Sequence, residues 1–469
     1  MEQKVLALYD FASKQEFIYR TNKIKEISGA SALLAKLYRK FVEQANRKYN
    51  IVYDVETEFN IDHFNADGQV LYDGGGNLMI LFQREEVYRG FNRIVSTYLV
   101  EKVPTLRVIA CCVPFTGDFK KDRGNLYRKN RINKNLHPAY DLTAVTPMTQ
   151  VDPMTFLPVV HKSSYLGDEI SLSADRYCKE KAYHVHAKNK EDDLDNLDGL
   201  TAVIYIDGNS MGKKLMKCAD SDYNRGVKKL RSFSENVNRV FVANPLEKMR
   251  EVVGSSENKG FRQVIGGGDE ITIICDARIA LKLVEVYFNS LIESNKDLPE
   301  DEKNYACAGI AVFHAKSPFT VAYEIAEAAC ESAKERAHEK NDNYLDFYYC
   351  HAGVTADFKT LRNREQYITA RPYSYENAKK KFRKYMPLLQ DAGRSNVKAL
   401  GNAAQLGVAE YLLEAERVNS YLKEKEEALK TDKTSAENEM KIIYDMSEFY
   451  DLWFGKDEGS DAKADENRA

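Results

Sequence analysis

Three acidic residues stand where a chain can do metal-assisted phosphate chemistry. Asp207 ends the apolar run AVIYID, and Asp269 and Glu270 lie together in VIGGGDEITIIC. A carboxylate at a strand end, followed by a glycine turn and a helix start (GNSMGKKL), sets free backbone N–H groups beside a metal ligand. That arrangement suits a phosphate next to a cation. It makes Gly208, Asn209, Ser210, Gly212 and Lys213 candidate nucleotide-binding residues. Gly267 and Gly268 join them, because glycine lets a bulky triphosphate approach the backbone. Asp207, Asp269 and Glu270 together can hold two magnesium ions through oxygen ligands. Two ions can activate an attacking hydroxyl and stabilise a leaving pyrophosphate without a dedicated protein base. Taken alone, GGGDE also fits a surface turn with incidental acids. Downstream, VAYEIAEAACESAKERA at 321–337 is helical, with Ala322, Ile325, Ala329 and Ala333 as a stripe of mostly small residues. Lys334 lies off that stripe, either reaching a β- or γ-phosphate or simply solvated.

The elements that must position these residues occur twice. VLALYD at 5–10 matches AVIYID at 202–207, and YDGGGNLMILF at 72–82 matches VIGGGDEITIIC at 264–275. Each second segment reads as a hairpin by its turn chemistry. Helical patterns follow at 84–102 and 277–296, then apolar strands at 105–113 and 305–313. The order strand, helix, hairpin, helix, strand predicts an α+β fold: two ferredoxin-like palm domains in tandem. The first copy lacks the acidic pair, carrying Asn77 and Leu78 in its place. Asp10 survives, but one carboxylate cannot hold two metals, so its role is structural or substrate-positioning.

The expected domains are a degenerate palm at 1–116, a charged inter-palm region at 117–199, a catalytic palm at 200–375, a helical domain at 376–454 and a disordered tail at 455–469. The inter-palm region holds a basic stretch, 118–137, read as an exposed loop in preference to an RNA or nucleotide contact, and a polar linker, 186–199. Hydrophobic residues make up 43% and charged residues 30%, with a net charge of −3. This is the balance of a globular chain with no overall bias toward nucleic acid. No apolar run approaches the ~20 residues that span a bilayer. Eight cysteines without a CxxC argue against structural zinc and a disulfide framework, and fit a reducing cytoplasm.

Several ordered motifs resemble one family. IYRTNKIKEISGASALLAKL, YIDGNSMG, GGGDE, CAGIAVFHAKSPF, AEAACESAK, LDFYYCH and ARPYSY are similar to segments of the large, polymerase-like subunit of type III CRISPR effector complexes. The resemblance covers roughly residues 4–375. Diguanylate cyclases, with a GGDEF-type hairpin, are a more distant match. The resemblance implies a second palm that makes cyclic oligoadenylates from ATP with magnesium or manganese, for antiviral defence. Asp207, Asp269 and Glu270 become metal ligands, and Lys334 a triphosphate contact. Glu270 departs from the family's usual GGDD. The family often carries an HD nuclease domain before the first palm, and no His–Asp dipeptide occurs here. Its zinc-binding insertion is reduced to Cys178, so no zinc is expected. His184 and His186 could share a strand face but read as surface residues. A cyclase using GTP, and a non-catalytic structural subunit of an RNA-guided complex, remain alternatives. The expected partners are nucleoside triphosphates, with complex subunits or further copies of the chain, and no membrane.

Overall fold

The computed structural model describes residues 3–136, 148–165, 168–187, 199–254, 260–315, 317–337, 340–350, 358–422, 429 and 433–454. The expected disordered tail and most of the polar linker lie outside the described residues. Two compact units divide the chain. One comprises Met1–Asp193, Ser210–Leu246 and Gln263–Ile271, the other Leu194–Asn209, Glu247–Arg262 and Thr272–Ala469.

The first sheet holds β1 (Val5–Ala12), β2 (Ile51–Val52), β3 (Gly68–Gly74), β4 (Asn77–Phe82) and β5 (Arg107–Pro114), in the order β2-β3-β4-β1-β5. β1 runs antiparallel to both neighbours. It reads as a near-continuous apolar run because both of its faces are covered. Successive residues point to opposite faces. Tyr9 meets Phe91 edge-on at 5.2 Å, and Phe11 stacks on Tyr38 at 4.3 Å. Leu6 and Leu8 join a cluster with Phe119, Leu126, Tyr223, Val227 and Leu230. The β3–β4 turn carries Gly75 and Gly76 at φ +60° and +82°, a left-handed geometry that two glycines adopt without strain.

That cluster corrects one expectation. The basic stretch is the helix Phe119–Leu136, with Phe119, Asp122, Arg123, Leu126 and Asn130 buried. Those residues recur at helical spacing, but three of the five are polar, so hydropathy hid the buried stripe. The cluster also draws in the helix Tyr223–Asn238, so residues that follow the second palm's first strand pack in the unit of the first sheet.

After the helix Phe119–Leu136 come a hairpin, β6 (Val159–Tyr165) and β7 (Asp168–Ser173), and the helix Ala174–Ala182. Its charged residues are buried in pairs. Arg176 lies 2.9 Å from both Asp152 and Glu26, and Lys179 lies 2.8 Å from Asp175 while donating to the carbonyl of Phe17. His184 and His186 fall in a π-helical turn, Tyr183–Ala187, and His184 is exposed.

The second sheet comprises β8 (Leu200–Gly208), β9 (Phe261–Gly267), β10 (Glu270–Asp276), β11 (Ala306–His314), β12 (Tyr344–Tyr349) and β13 (Tyr373–Ser374). Its order is β13-β12-β11-β8-β10-β9. β8, β9, β10 and β11 repeat the roles of β1, β3, β4 and β5. The fold is thus two palm sheets in tandem, followed by the helices Tyr375–Ala392, Arg394–Leu406, Val408–Tyr421 and Lys433–Phe454, which share one apolar core. Arg371 ties these helices to the strand side of the second unit. It is fully buried, 2.9 Å from Asp445 and 3.0 Å from Glu448, and it donates to the carbonyl of Phe347.

Gly309 sets how closely the helix Phe319–Ala337 approaches β11. A Cβ there would lie 1.8 Å from the Ala326 carbonyl oxygen and 2.5 Å from the Cys330 nitrogen. Backbone atoms cannot turn aside as a side chain can. Gly309→Ala is therefore expected to cost about 3 kcal/mol or more, read from the midpoint of urea unfolding. A midpoint equal to that of the unchanged chain would show the helix free to move.

Candidate functional site

β8 carries Asp207 out of the core one residue before its end, opposite Cys307 of β11. Residues 202–206 are buried, whereas the Asp207 side chain keeps 24% exposure. The helix Phe319–Ala337 buries Ala322, Ile325, Ala329 and Ala333, the stripe read from the sequence. That burial presents Lys334 at the edge, where its ammonium pairs with the Asp207 carboxylate. Burial pulls the Lys334 ammonium toward losing its proton, but the Asp207 carboxylate outweighs this and holds its pKa above the usual value. The lysine therefore stays a cation. Next to it, the Asn209 N–H donates to the Tyr305 carbonyl at 2.8 Å. The Asn209 side chain donates to the Cys307 sulfur and keeps a buried Oδ1 without a hydrogen-bond partner. Gly208 is buried. Ser210 takes the left-handed conformation at φ +61° ahead of the short helix Met211–Lys217, on which Gly212 and Lys213 are exposed.

β9 and β10 are joined by a tight turn holding Gly268, at φ +67°, and Asp269; Glu270 opens β10. β10 neighbours β8 in the sheet. Gly267, Gly268 and Glu270 line a cavity of about 850 Å³, which also receives the first palm's turn glycines, Gly74, Gly75 and Gly76. Lys14 lies 3.9 Å from Glu270 in the same unit. Tyr53 and Asp73, hydrogen-bonded to each other, form another part of the wall. Burial raises the Asp73 carboxyl, against the opposing hydrogen bond from Tyr53. No local motif marked Lys14 or Tyr53, and Asp73 stood in the YDGGGNLMILF segment with no role assigned to it. They matter through where the fold brings the two glycine turns, which spacing alone does not show.

The first palm's counterpart is built differently. Asp10 stands opposite Asn77 in the β1–β4 register. Its carboxylate accepts from Asn130 at 2.7 Å and pairs with Lys134 at 2.6 Å. Both partners come from the basic stretch. Asp10 is thus satisfied by protein groups and serves the packing of that helix. Asp10→Ala is accordingly expected to reduce turnover far less than Asp207→Ala, in steady-state assays with circular dichroism as the folding control. Equal inactivity in two folded variants would give the first palm a catalytic role.

Asp207, Asp269 and Glu270 offer only carboxylate oxygens, a donor set suited to magnesium or manganese. Among the described residues no three His, Cys, Asp or Glu side chains converge closely enough to hold an ion. A cation at Asp207 is nevertheless already in place, as the Lys334 ammonium. Cys178, the one cysteine of the inter-palm stretch, donates to the Asp175 carbonyl, and burial pushes its thiol up to about 12. A thiol held protonated is a poor metal ligand. Native mass spectrometry is expected to find no zinc, and a stoichiometric zinc ion would contradict that reading.

Sequence comparison speaks to the second sheet. Residues 200–343 match the Cas10/Cmr2 second palm domain. No curated protein matches the chain. Among solved structures, the Csm1–Csm4 cassette in complex with pppApApA superposes with a TM-score of 0.58 at 14% identity, over 96% of this chain and 69% of that one. Csm1 of T. onnurineus gives 0.59 at 12% identity, over 96% and 69%. The Csm1–Csm4 cassette in complex with cA4 gives 0.58 at 13% identity, over the same shares. The Cas10/Cmr2 match contains Asp207, Asp269, Glu270 and Lys334. The structural matches extend the shared fold across both palms and the C-terminal helices. Among the described residues no helix is long and apolar enough to cross a membrane.

Proposed function

We propose that the Cas10/Cmr2-type palm of this chain joins nucleoside triphosphates, ATP first among them, into a cyclic oligoadenylate signal. The observation that carries this reading is Asp207, raised at the end of a buried central strand and already neutralised by Lys334, on the strand next to the glycine turn of Asp269 and Glu270. Asp207, Asp269 and Glu270 would hold divalent cations. When bound, these ions lower the barrier to attack at the α-phosphate by offsetting charge on the attacking and leaving oxygens. Lys334 then exchanges its carboxylate for a phosphate oxygen and stays protonated throughout. Gly267 and Gly268 leave the backbone open to a triphosphate, since a Cβ at either meets nothing within 4 Å. The cavity lined by both glycine turns has room for nucleotide, and holding two reactants in one geometry raises their effective molarity.

Support also comes from the matched structures, since those Csm1–Csm4 cassettes were captured with pppApApA and with cA4. By the same argument the chain is proposed to work with a Csm4-like partner in a CRISPR-type complex. A non-catalytic role in such a complex is the second reading. It draws on the Lys334–Asp207 pair, which would then be a permanent structural link. Incubation with each nucleoside triphosphate and manganese, followed by mass analysis, separates the two. Adenylate oligomers with released pyrophosphate support synthesis; unchanged triphosphates in the chain and in its complex support the structural role.

A further inference from the structure

β5 stands last in the order of the first sheet, with β1 on one side and, among the described residues, no strand on the other. Its counterpart β11 lies between β8 and β12. β5 and β11 end at Pro114 and His314, and the helices that follow them begin at Phe119 and Phe319. Val108, Ala110 and Cys112 therefore match Ala308, Ile310 and Val312 by place. In a strand the N–H and C=O of one residue point to the same side, and those of the next residue to the other. The Phe115 N–H donates to the Lys4 carbonyl at 2.9 Å, so Val113, Cys111 and Ile109 turn their backbone groups toward β1. Cys112, Ala110 and Val108 turn theirs away from the sheet, and all three are half-buried. Among the described residues nothing bonds to the outward backbone groups of Val108 and Ala110.

The repeat shows what covers such an edge. In the second sheet the Cys350 N–H, just past β12, donates to the Val312 carbonyl at 2.7 Å. In the first, the Lys129 ammonium donates to the matching Cys112 carbonyl at 2.9 Å. A lysine thus stands where the second sheet has the backbone of one more strand. Lysine beside an edge also guards against unwanted pairing, yet this one leaves Val108 and Ala110 open. We propose that β5 is a strand-addition site: an extended acidic segment of another protein pairs with Val108, Ala110 and Cys112 and displaces Lys129 from the Cys112 carbonyl. Main-chain hydrogen bonds supply the affinity in this mode of recognition. The charge follows from the helix Phe119–Leu136, whose Lys120, Lys121, Arg128, Lys129 and Arg131 are exposed. A carboxylate on the segment gives the displaced Lys129 a new partner, and the basic helix attracts it. A second copy of the chain fits less well, since pairing β5 with β5 would bring two such helices together. The inference goes beyond the nucleotidyl-transfer reading and does not depend on it, because none of these groups belongs to the Asp207 site.

Hydrogen exchange of the full chain tests the edge before any partner is added. The amides of Val108 and Ala110 are expected to exchange quickly, and those of Ile109, Cys111 and Val113 slowly. Equal protection of all five would overturn the proposal. Binding is tested with a fluorescently labelled peptide of the chain's own residues 342–349, DNYLDFYY, which contains β12 and two acids. Saturable binding is expected by fluorescence anisotropy, with new protection of the Val108 and Ala110 amides. Ala110→Pro should weaken it about tenfold or more, because proline removes an outward donor and its ring obstructs the approach. An edge strand tolerates proline where the N–H faces outward. Circular dichroism checks the fold, and Val108→Pro repeats the test at the neighbouring outward position. No binding of the peptide, or equal binding by both proline variants, would overturn the proposal. Self-association of the chain alone that Ala110→Pro abolishes would give the edge to a second copy and overturn the choice of partner.

Discussion

Asp269→Ala is expected to lower product formation by orders of magnitude while leaving the fold intact. Asp269 sits half-buried in a tight turn whose left-handed geometry is supplied by Gly268. A turn acid of this kind contributes little to stability. The proposed chemistry, in contrast, cannot proceed without it, because the triphosphate and the developing pyrophosphate charge must be offset by cations held on carboxylates. Asp207→Ala should be equally inactive. It also leaves the Lys334 ammonium half-buried without its partner, so some loss of stability is expected for that variant alone. Measured turnover at matched circular dichroism separates the two effects. Near-normal turnover in both variants would remove the metal-ligand assignment.

Arg371→Met is expected to destabilise the second unit by about 3–5 kcal/mol, the usual cost of removing one partner from a buried ionic network. Arg371 meets Asp445, Glu448 and Glu365 with no solvent to replace it. The pH dependence gives this result a signature. Burial raises the carboxyls of Asp445 and Glu365, and the Arg371 cation opposes that rise. Removing the cation raises both further in the folded state. A carboxyl whose folded pKa is raised binds its proton sooner when folded than when unfolded, so stability grows as pH falls toward the unfolded value of about 4. The deficit of Arg371→Met should therefore be largest near neutral pH and shrink on acidification. Urea unfolding at several pH values measures it; a deficit independent of pH would mean lost packing, not uncompensated charge.

Some of this was legible in the chain and some was not, for physical reasons. The glycine hairpins could be read because φ > 0 at Gly75, Gly76 and Gly268 selects for glycine directly. The stripe of Ala322, Ile325, Ala329 and Ala333 could be read because small residues at helical spacing mark close packing, and Gly309 is the matching surface. The helix Phe119–Leu136 reads as a loop in the sequence because its buried face includes Asp122, Arg123 and Asn130, and the groups that bond Asn130 and Asp122, Asp10 and Tyr223, are distant in sequence. The docking of Tyr223, Val227 and Leu230 in the first unit was hidden in the same way, since an apolar stripe does not say which sheet it covers. Asp207, Asp269, Glu270 and Lys334 were singled out by residue type and place in the repeat. The Lys334–Asp207 pair itself joins residues 127 positions apart and left no local trace.

Electron paramagnetic resonance of manganese(II) with ATP tests the central claim most directly. The account predicts that the chain binds manganese in the presence of ATP, that Asp269→Ala and Asp207→Ala each abolish this binding, and that Asp10→Ala leaves it in place. Equal manganese binding by the unchanged chain and by Asp269→Ala would contradict the account.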